Sequence, residues 1–176
     1  MKAIQRITAI MLAAMAMLAV SAPAASAQFT PREKSVGLKA GYISTNESMA
    51  AGLFFQYSIL SHLRIAPEIG CVFKHQGMDA FTLDLNLQVP LDIKDDKASL
   101  YPLAGLNYSS WNESVPREVL DIMDDVSTRT SRLGLNLGAG FEFHCSHTLK
   151  VGIEAKYTFI KHFSGVTVGA LIGYSF

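Results

Sequence analysis

The chain has 176 residues, one domain's worth, with 49% hydrophobic and 17% charged side chains and equal numbers of acids and bases. That composition suggests a membrane protein, yet after residue 20 no apolar run approaches the roughly 18–20 residues a spanning helix needs. The balanced charge offers nucleic acid no basic footprint to bind.

Taken from the start, Lys2 and Arg6 form a positive segment, Ile7 to Val20 is apolar, and Ala25-Ser26-Ala27 is a small-residue cleavage site. These predict a cleaved signal peptide over 1–27 and a single mature domain over 28–176. Losing Lys2 and Arg6 and no acid leaves 13 basic against 15 acidic residues, a net charge of −2. No cysteine lies near the cut, so a lipoprotein signal is not indicated.

After Gln28 the chain resolves into segments of about ten residues with period-two alternation and polar turns between them. Strands are predicted at 35–42, 50–59, 63–73, 81–91, 100–108, 132–143, 149–159 and 166–176. One face of these strands has 44 positions, running from Val36, Leu38, Ala40 and Tyr42 to Ile172, Tyr174 and Phe176, and includes Val89 and Leu91. It contains no charged residue and no glycine. At 17% charge about seven charges would fall there by chance. The opposite face holds Lys39, Arg64, Glu68, Asp84, Arg132, Glu142, Lys150, Glu154 and Lys156, with eleven of the 13 glycines.

A soluble barrel with the apolar face inside fails on volume, because eight strands enclose only a few layers of side chains. Turned outward, the apolar face suits lipid, where a Lys or Arg at mid-depth costs roughly 2–4 kcal/mol. The expected fold is therefore all-β, an eight-stranded antiparallel up-and-down transmembrane β-barrel whose nine lumen charges pair with one another. Glu142 and Lys150 flank one turn and are expected to be direct cross-strand neighbours.

A cleaved signal leaves the N-terminus in the periplasm, and an even strand count returns the C-terminus there. The outer loops are then 43–49, 74–80, 109–131 and 160–165, and the inner turns 60–62, 92–99 and 144–148. Aromatic residues gather at both rims so defined: Tyr42, Phe73, Phe81, Tyr108, Tyr157 and Phe159 outside, and Tyr57, Phe141, Phe143, Tyr174 and Phe176 inside. Pro67, Pro90 and Pro102 fall toward the inner ends of their strands, where the missing N–H breaks a ladder, and local bulges are expected.

The final strand, Val166-Thr167-Val168-Gly169-Ala170-Leu171-Ile172-Gly173-Tyr174-Ser175-Phe176, resembles those of small eight-stranded outer-membrane barrels of the OmpA/OmpX type. The likeness extends to the broader porin-like outer membrane protein β-barrel domain family. Leu133-Gly134-Leu135-Asn136-Leu137-Gly138-Ala139-Gly140-Phe141-Glu142 and Tyr101-Pro102-Leu103-Ala104-Gly105-Leu106 look like its recurrent strand motifs. The resemblance implies a Gram-negative outer-membrane location reached through the periplasm, lipid as surroundings, and periplasmic chaperones and the barrel-assembly machinery as partners in biogenesis. Tyr174 and Phe176 would form the signal that machinery reads, although Leu171 stands where such signals often have Gly.

Chemistry is sparse. His144-Cys145-Ser146-His147 lies in an inner turn near His62, but no carboxylate or second cysteine completes a metal site, so no metal or cofactor is expected. His144 and Ser146 with Glu154 resemble the His-x-Ser and Glu of lipid A deacylases, at the wrong rim for those enzymes. Cys71 lies near the outer end of the third predicted strand and Cys145 in the inner turn after the sixth, too far apart for a disulfide.

The loop 109–131 departs from the pattern and is often where function lies. Ser114 can cap a short helix with Pro116 in its first turn, setting Val119, Ile122, Met123 and Val126 on one side against Glu118, Asp121, Asp124 and Asp125. Trp111 would anchor the loop base at the interface. This surface is expected to meet an extracellular partner. The function expected is a non-enzymatic outer-membrane barrel displaying loops for interaction, adhesion or envelope support. A narrow channel or a lipid-modifying enzyme is the alternative.

Overall fold

The structure, a computed structural model, describes residues 33–93, 97–114 and 127–176. The targeting segment, its cut before Gln28, and residues 115–126 of the expected loop helix lie outside the described residues. Every element among the described residues is a strand: β1 (Lys34–Ile43), β2 (Ser48–Leu60), β3 (Leu63–His75), β4 (Met78–Gln88), β5 (Leu91–Ile93), β6 (Ala98–Ser114), β7 (Ser127–His144), β8 (Leu149–Phe159) and β9 (Gly165–Ser175).

Successive long strands pair antiparallel, β1 pairs with β9, and β4 pairs with β6, so the sheet closes on itself. Short β5 is a continuation of β4. Gln88 faces Leu103 and Leu91 faces Leu100, one unbroken register interrupted at Val89-Pro90. The barrel thus has eight staves, the fourth of them broken. Lys34 and Phe176 exchange backbone bonds of 3.2 and 2.9 Å at what is here termed the near end.

Alternation decides which way the barrel faces. Among the described residues thirty large hydrophobic side chains are exposed and only ten hydrophobic residues are buried. Of the 44 outward positions 43 escape burial. The exception is Val89, which turns in at the break before Pro90. Glycines on the inner face make room for large neighbours. A Cβ on Gly140 would run into the Tyr101 ring, and one on Gly37 into Phe54.

Three expectations change. The far-end loops are shorter than predicted because strands run on. The β3–β4 connection shrinks from 74–80 to Gln76-Gly77, with φ of 51° and 78°, the pair of left-handed residues a two-residue hairpin favours. Ser109–Ser114 and Ser127–Ser131, assigned to loop, are strand. The register shifts lie at Ser58/Leu60 and Val72/His75, beside turns, rather than at the prolines.

Candidate functional site

The lumen is filled by two layers of ion pairs. In the near layer Arg64 donates to both oxygens of Glu142 at 3.0 and 3.1 Å and to Gln88 Oε1 at 2.7 Å. Gln56 donates to Glu142 (3.0 Å) and to Gln88 (3.2 Å), and Lys150 donates to Gln56. Lys150 Nζ lies 3.6 Å from Glu142. That contact is diagonal, because Glu142 faces Gly152 and Lys150 faces His144. The expected direct cross-strand alignment is therefore corrected by one two-residue step.

In the middle layer Lys39 bridges Glu68 (2.7 Å) and Glu154 (2.8 Å), and Lys156 bridges Asp84 (2.5 Å) and Glu68 (3.3 Å). Asn107 and Asn136 donate to Asp84 at 2.5 and 2.9 Å. Tyr101 links the layers: its hydroxyl donates to Glu154 (3.0 Å) while the Arg64 guanidinium lies 5.0 Å from its ring centroid. Four cations meet four anions, and each carboxylate accepts at least two donors. Such satisfaction is what buried charge requires. Arg132 does not take part. It is exposed at the far end and joins no ion pair among the described residues. Charge counting also missed Tyr101, Gln56, Gln88, Asn107 and Asn136, which share the inward parity of the charges and could have been found by it.

Above the charges the far mouth is apolar. Val72, Ala80 and Trp111 are buried there, with Ile43, Ala50, Met78 and Phe163 packed against them. Trp111 is 1% exposed and stacks on Phe163 at 5.1 Å and 11°. It is a core residue, not the interfacial anchor expected. The reason is parity, since β6 continues past Tyr108 and turns every odd residue inward. Beneath the stack is a cavity of about 60 Å³ reaching Lys39 and Lys156, room for a few waters at most.

The rest of the expected interaction surface, Val119, Ile122, Met123 and Val126, lies outside the described residues. What the described residues do show is a projection. β6 and β7 stay paired from Ala98↔Phe143 out to Ser114↔Ser127, while β7 loses β8 beyond Leu135↔Phe159. Ser127 to Gly134 therefore pair on one side only. Arg129 donates to Ser110 Oγ (2.7 Å), and Leu133 is 79% exposed.

Among the described residues no reactive constellation forms at the near end. Cys145, Ser146 and His147 are exposed in the β7–β8 turn, and Ser146 Oγ accepts the N–H groups of Thr148 and Leu149 at 3.2 Å. Glu154 is engaged with Lys39 and Tyr101 in the lumen. Cys71 and Cys145 are free thiols.

An apolar exterior around a paired polar lumen defines a membrane-spanning β-barrel. The chain belongs to the outer membrane protein beta-barrel domain family, whose pattern it matches over residues 10–176. The fold is similar to the N-terminal β-barrel domain of Pseudomonas aeruginosa OprF, with 14% identity, 82% of this chain and 98% of that one covered, and a TM-score of 0.66. It is similar also to Neisserial surface protein A (10%, 84% and 98%, 0.65). A third likeness is to Ail, the attachment invasion locus protein of Yersinia pestis (16%, 84% and 100%, 0.59). At these identities the likeness is one of fold. No curated protein sequence matches the chain.

Proposed function

We propose that the protein is a non-enzymatic surface barrel of the outer membrane whose working part is the β6–β7 projection. On this reading residues 1–27 direct export, the near end faces the periplasm, and Tyr174 and Phe176 are read by the assembly machinery. The observation that carries the reading is the one-sided pairing of Ser127 to Gly134. A strand edge with unpaired N–H and C=O groups is a template for an extended segment of a partner. The filled lumen supports display over conduction, because four cations and four anions occupy the space a channel would need. The fold it shares with Ail, the attachment invasion locus protein of Yersinia pestis, is in keeping with such a role.

The test is to replace residues 112–129 with a short Gly/Ser turn and compare surface crosslinking from intact cells. The shortened barrel should still shift in mobility between unboiled and boiled samples on a detergent gel. Its crosslinked extracellular partners should disappear. If the same partners are captured after the replacement, the projection is not the working surface.

A further inference from the structure

The three strand prolines are not scattered. Pro67 lies in β3, and the positions opposite Pro67 and Ala66 drop out of the β2–β3 ladder between Phe54↔Glu68 and Tyr57↔Ile65, with no change of register. On the β4 side Pro67 stays in register opposite Leu85. Its missing donor therefore weakens the β2 side alone. Pro102 lies in β6, opposite Val89. It accepts the Val89 N–H at 3.1 Å and has none to return. The β4–β6 ladder stops at Gln88↔Leu103 and resumes at Leu91↔Leu100. Pro90 sits past Gln88, whose partner Arg64 is the last residue of β3 to pair with β4, so it interrupts nothing on that side.

The near half of the β3–β4 hairpin is thus loosened along both flanks, while its own two strands remain fully paired from Arg64↔Gln88 to Val72↔Ala80. Among the described residues no other part of the wall is loosened along both flanks. The β1–β9 seam runs without a gap from Ser35↔Ser175 to Ile43↔Thr167, and β7–β8 from Leu135↔Phe159 to His144↔Lys150. Where the ladder fails, side chains cross the lumen instead. Arg64 of β3 reaches Glu142 of β7 through two hydrogen bonds, and Gln88 of β4 receives Arg64 and Gln56 of β2.

We propose that residues 63–68 and 84–93 form a lateral panel, the segment of wall that opens first toward the surrounding lipid, and that Arg64 is its latch. The prolines remove donors that a closed barrel in lipid would otherwise use, and unmet backbone groups there are costly. Opening separates whole strands as one unit because the hairpin inside the panel is intact. Arg64 holds the panel shut by bonding across the lumen to a strand that is not its neighbour. It is a positioning residue, acting on the wall and on no ligand.

The experiment is amide hydrogen exchange on the folded barrel in phosphatidylcholine vesicles, comparing the panel with the β1–β9 seam. Ile65, Leu85, Leu87 and Val89, whose amides face the flanking strands, should exchange about tenfold faster than Leu38, Ala40, Ala170 and Ile172, whose amides face the seam, the factor expected for roughly one lost hydrogen bond. Arg64→Gln should accelerate the panel by about tenfold more and leave the β1–β9 seam unchanged. Pro67→Ala and Pro102→Ala restore the donors and should slow the panel, and they decide the matter alone should Arg64→Gln not fold. Equal protection of panel and seam would overturn the proposal. So would an Arg64→Gln effect spread evenly over all strands, or proline variants that exchange as the parent does.

Discussion

The membrane band and the far rim are built from the same strands with opposite polarity. Within the band Leu38, Leu106 and Ile153 point outward, and Lys39, Asn107 and Glu154 point inward. Four residues beyond Asn107 on the same strand, Trp111 points inward onto Val72 and Ala80, while neighbouring Asn112 faces out and donates to Asp79 at 3.2 Å. Strand period is unchanged across that boundary, so the two faces of β6 exchange character without any break in register. The medium sets the polarity of each face. Lipid outside demands an apolar exterior and leaves the polar groups to pair within, and water outside restores the ordinary arrangement. The barrel thus carries an inverted core in its middle and a small conventional core at its mouth.

Removing charge from the inverted core has the largest expected effect. Glu142→Ala strands Arg64 and Lys150, both buried, and breaking such a pair from one side costs roughly 3–5 kcal/mol. The measurement is the urea midpoint of the barrel refolded into lipid vesicles. An unchanged midpoint would mean that water, not Glu142, neutralises the two cations.

The conventional core responds differently. Trp111→Ala empties the space against Phe163, Val72 and Ala80 and should cost about 3 kcal/mol, the lower end for losing a large aromatic side chain. The loss should stay local. Amide exchange should rise in residues 72–82 and 109–113 while the Arg64–Glu142 layer keeps its protection. If exchange rises equally at Glu142, the two cores are one cooperative unit and the contrast between them is only compositional.

The sequence makes the band legible and the rim much less so, for a physical reason. Within the band, period-two alternation with lipid on one side has a single solution, and 43 of 44 positions follow it. The lone departure, Val89, stands at the gap in the β4–β6 ladder, opposite Pro102 and just before Pro90. At the rim the change of medium hides the strands, because Ser109 to Glu113 and Thr128 to Arg132 carry the polar residues that usually mark a loop. Extending the parity of Leu106 and Tyr108 by three residues would have turned Trp111 inward. Which charges meet across the lumen was not legible at all. Arg64 with Glu142 and Lys39 with Glu154 depend on how far successive strands are staggered around the closed barrel, a quantity no single strand encodes. Gln56 and Gln88, which bond each other, and Tyr101, which donates to Glu154, were missed because uncharged polar residues carry no sign to match.

The smallest expected effect locates the boundary itself. An arginine placed on the outward face costs roughly 2–4 kcal/mol at the bilayer midplane and about 0–1 near the interface. Leu38, in the middle of β1 and 58% exposed, belongs to the first case. Leu133 pairs with Tyr108, and the next outward pair along the same strands is Ser131 with Ser110, so the apolar band ends between these two rows. Leu133 is also the most exposed large hydrophobic side chain among the described residues, at 79%. Leu38→Arg should therefore lower the unfolding free energy in vesicles by several times the loss from Leu133→Arg. Arginine at 133 can also lift its guanidinium to the water while its stem stays on the barrel wall. Thinner bilayers should shrink the penalty at 133 further and leave that at 38 nearly unchanged. Equal penalties would place the membrane edge beyond Ser131, and Trp111 would then be packing inside the bilayer rather than above it.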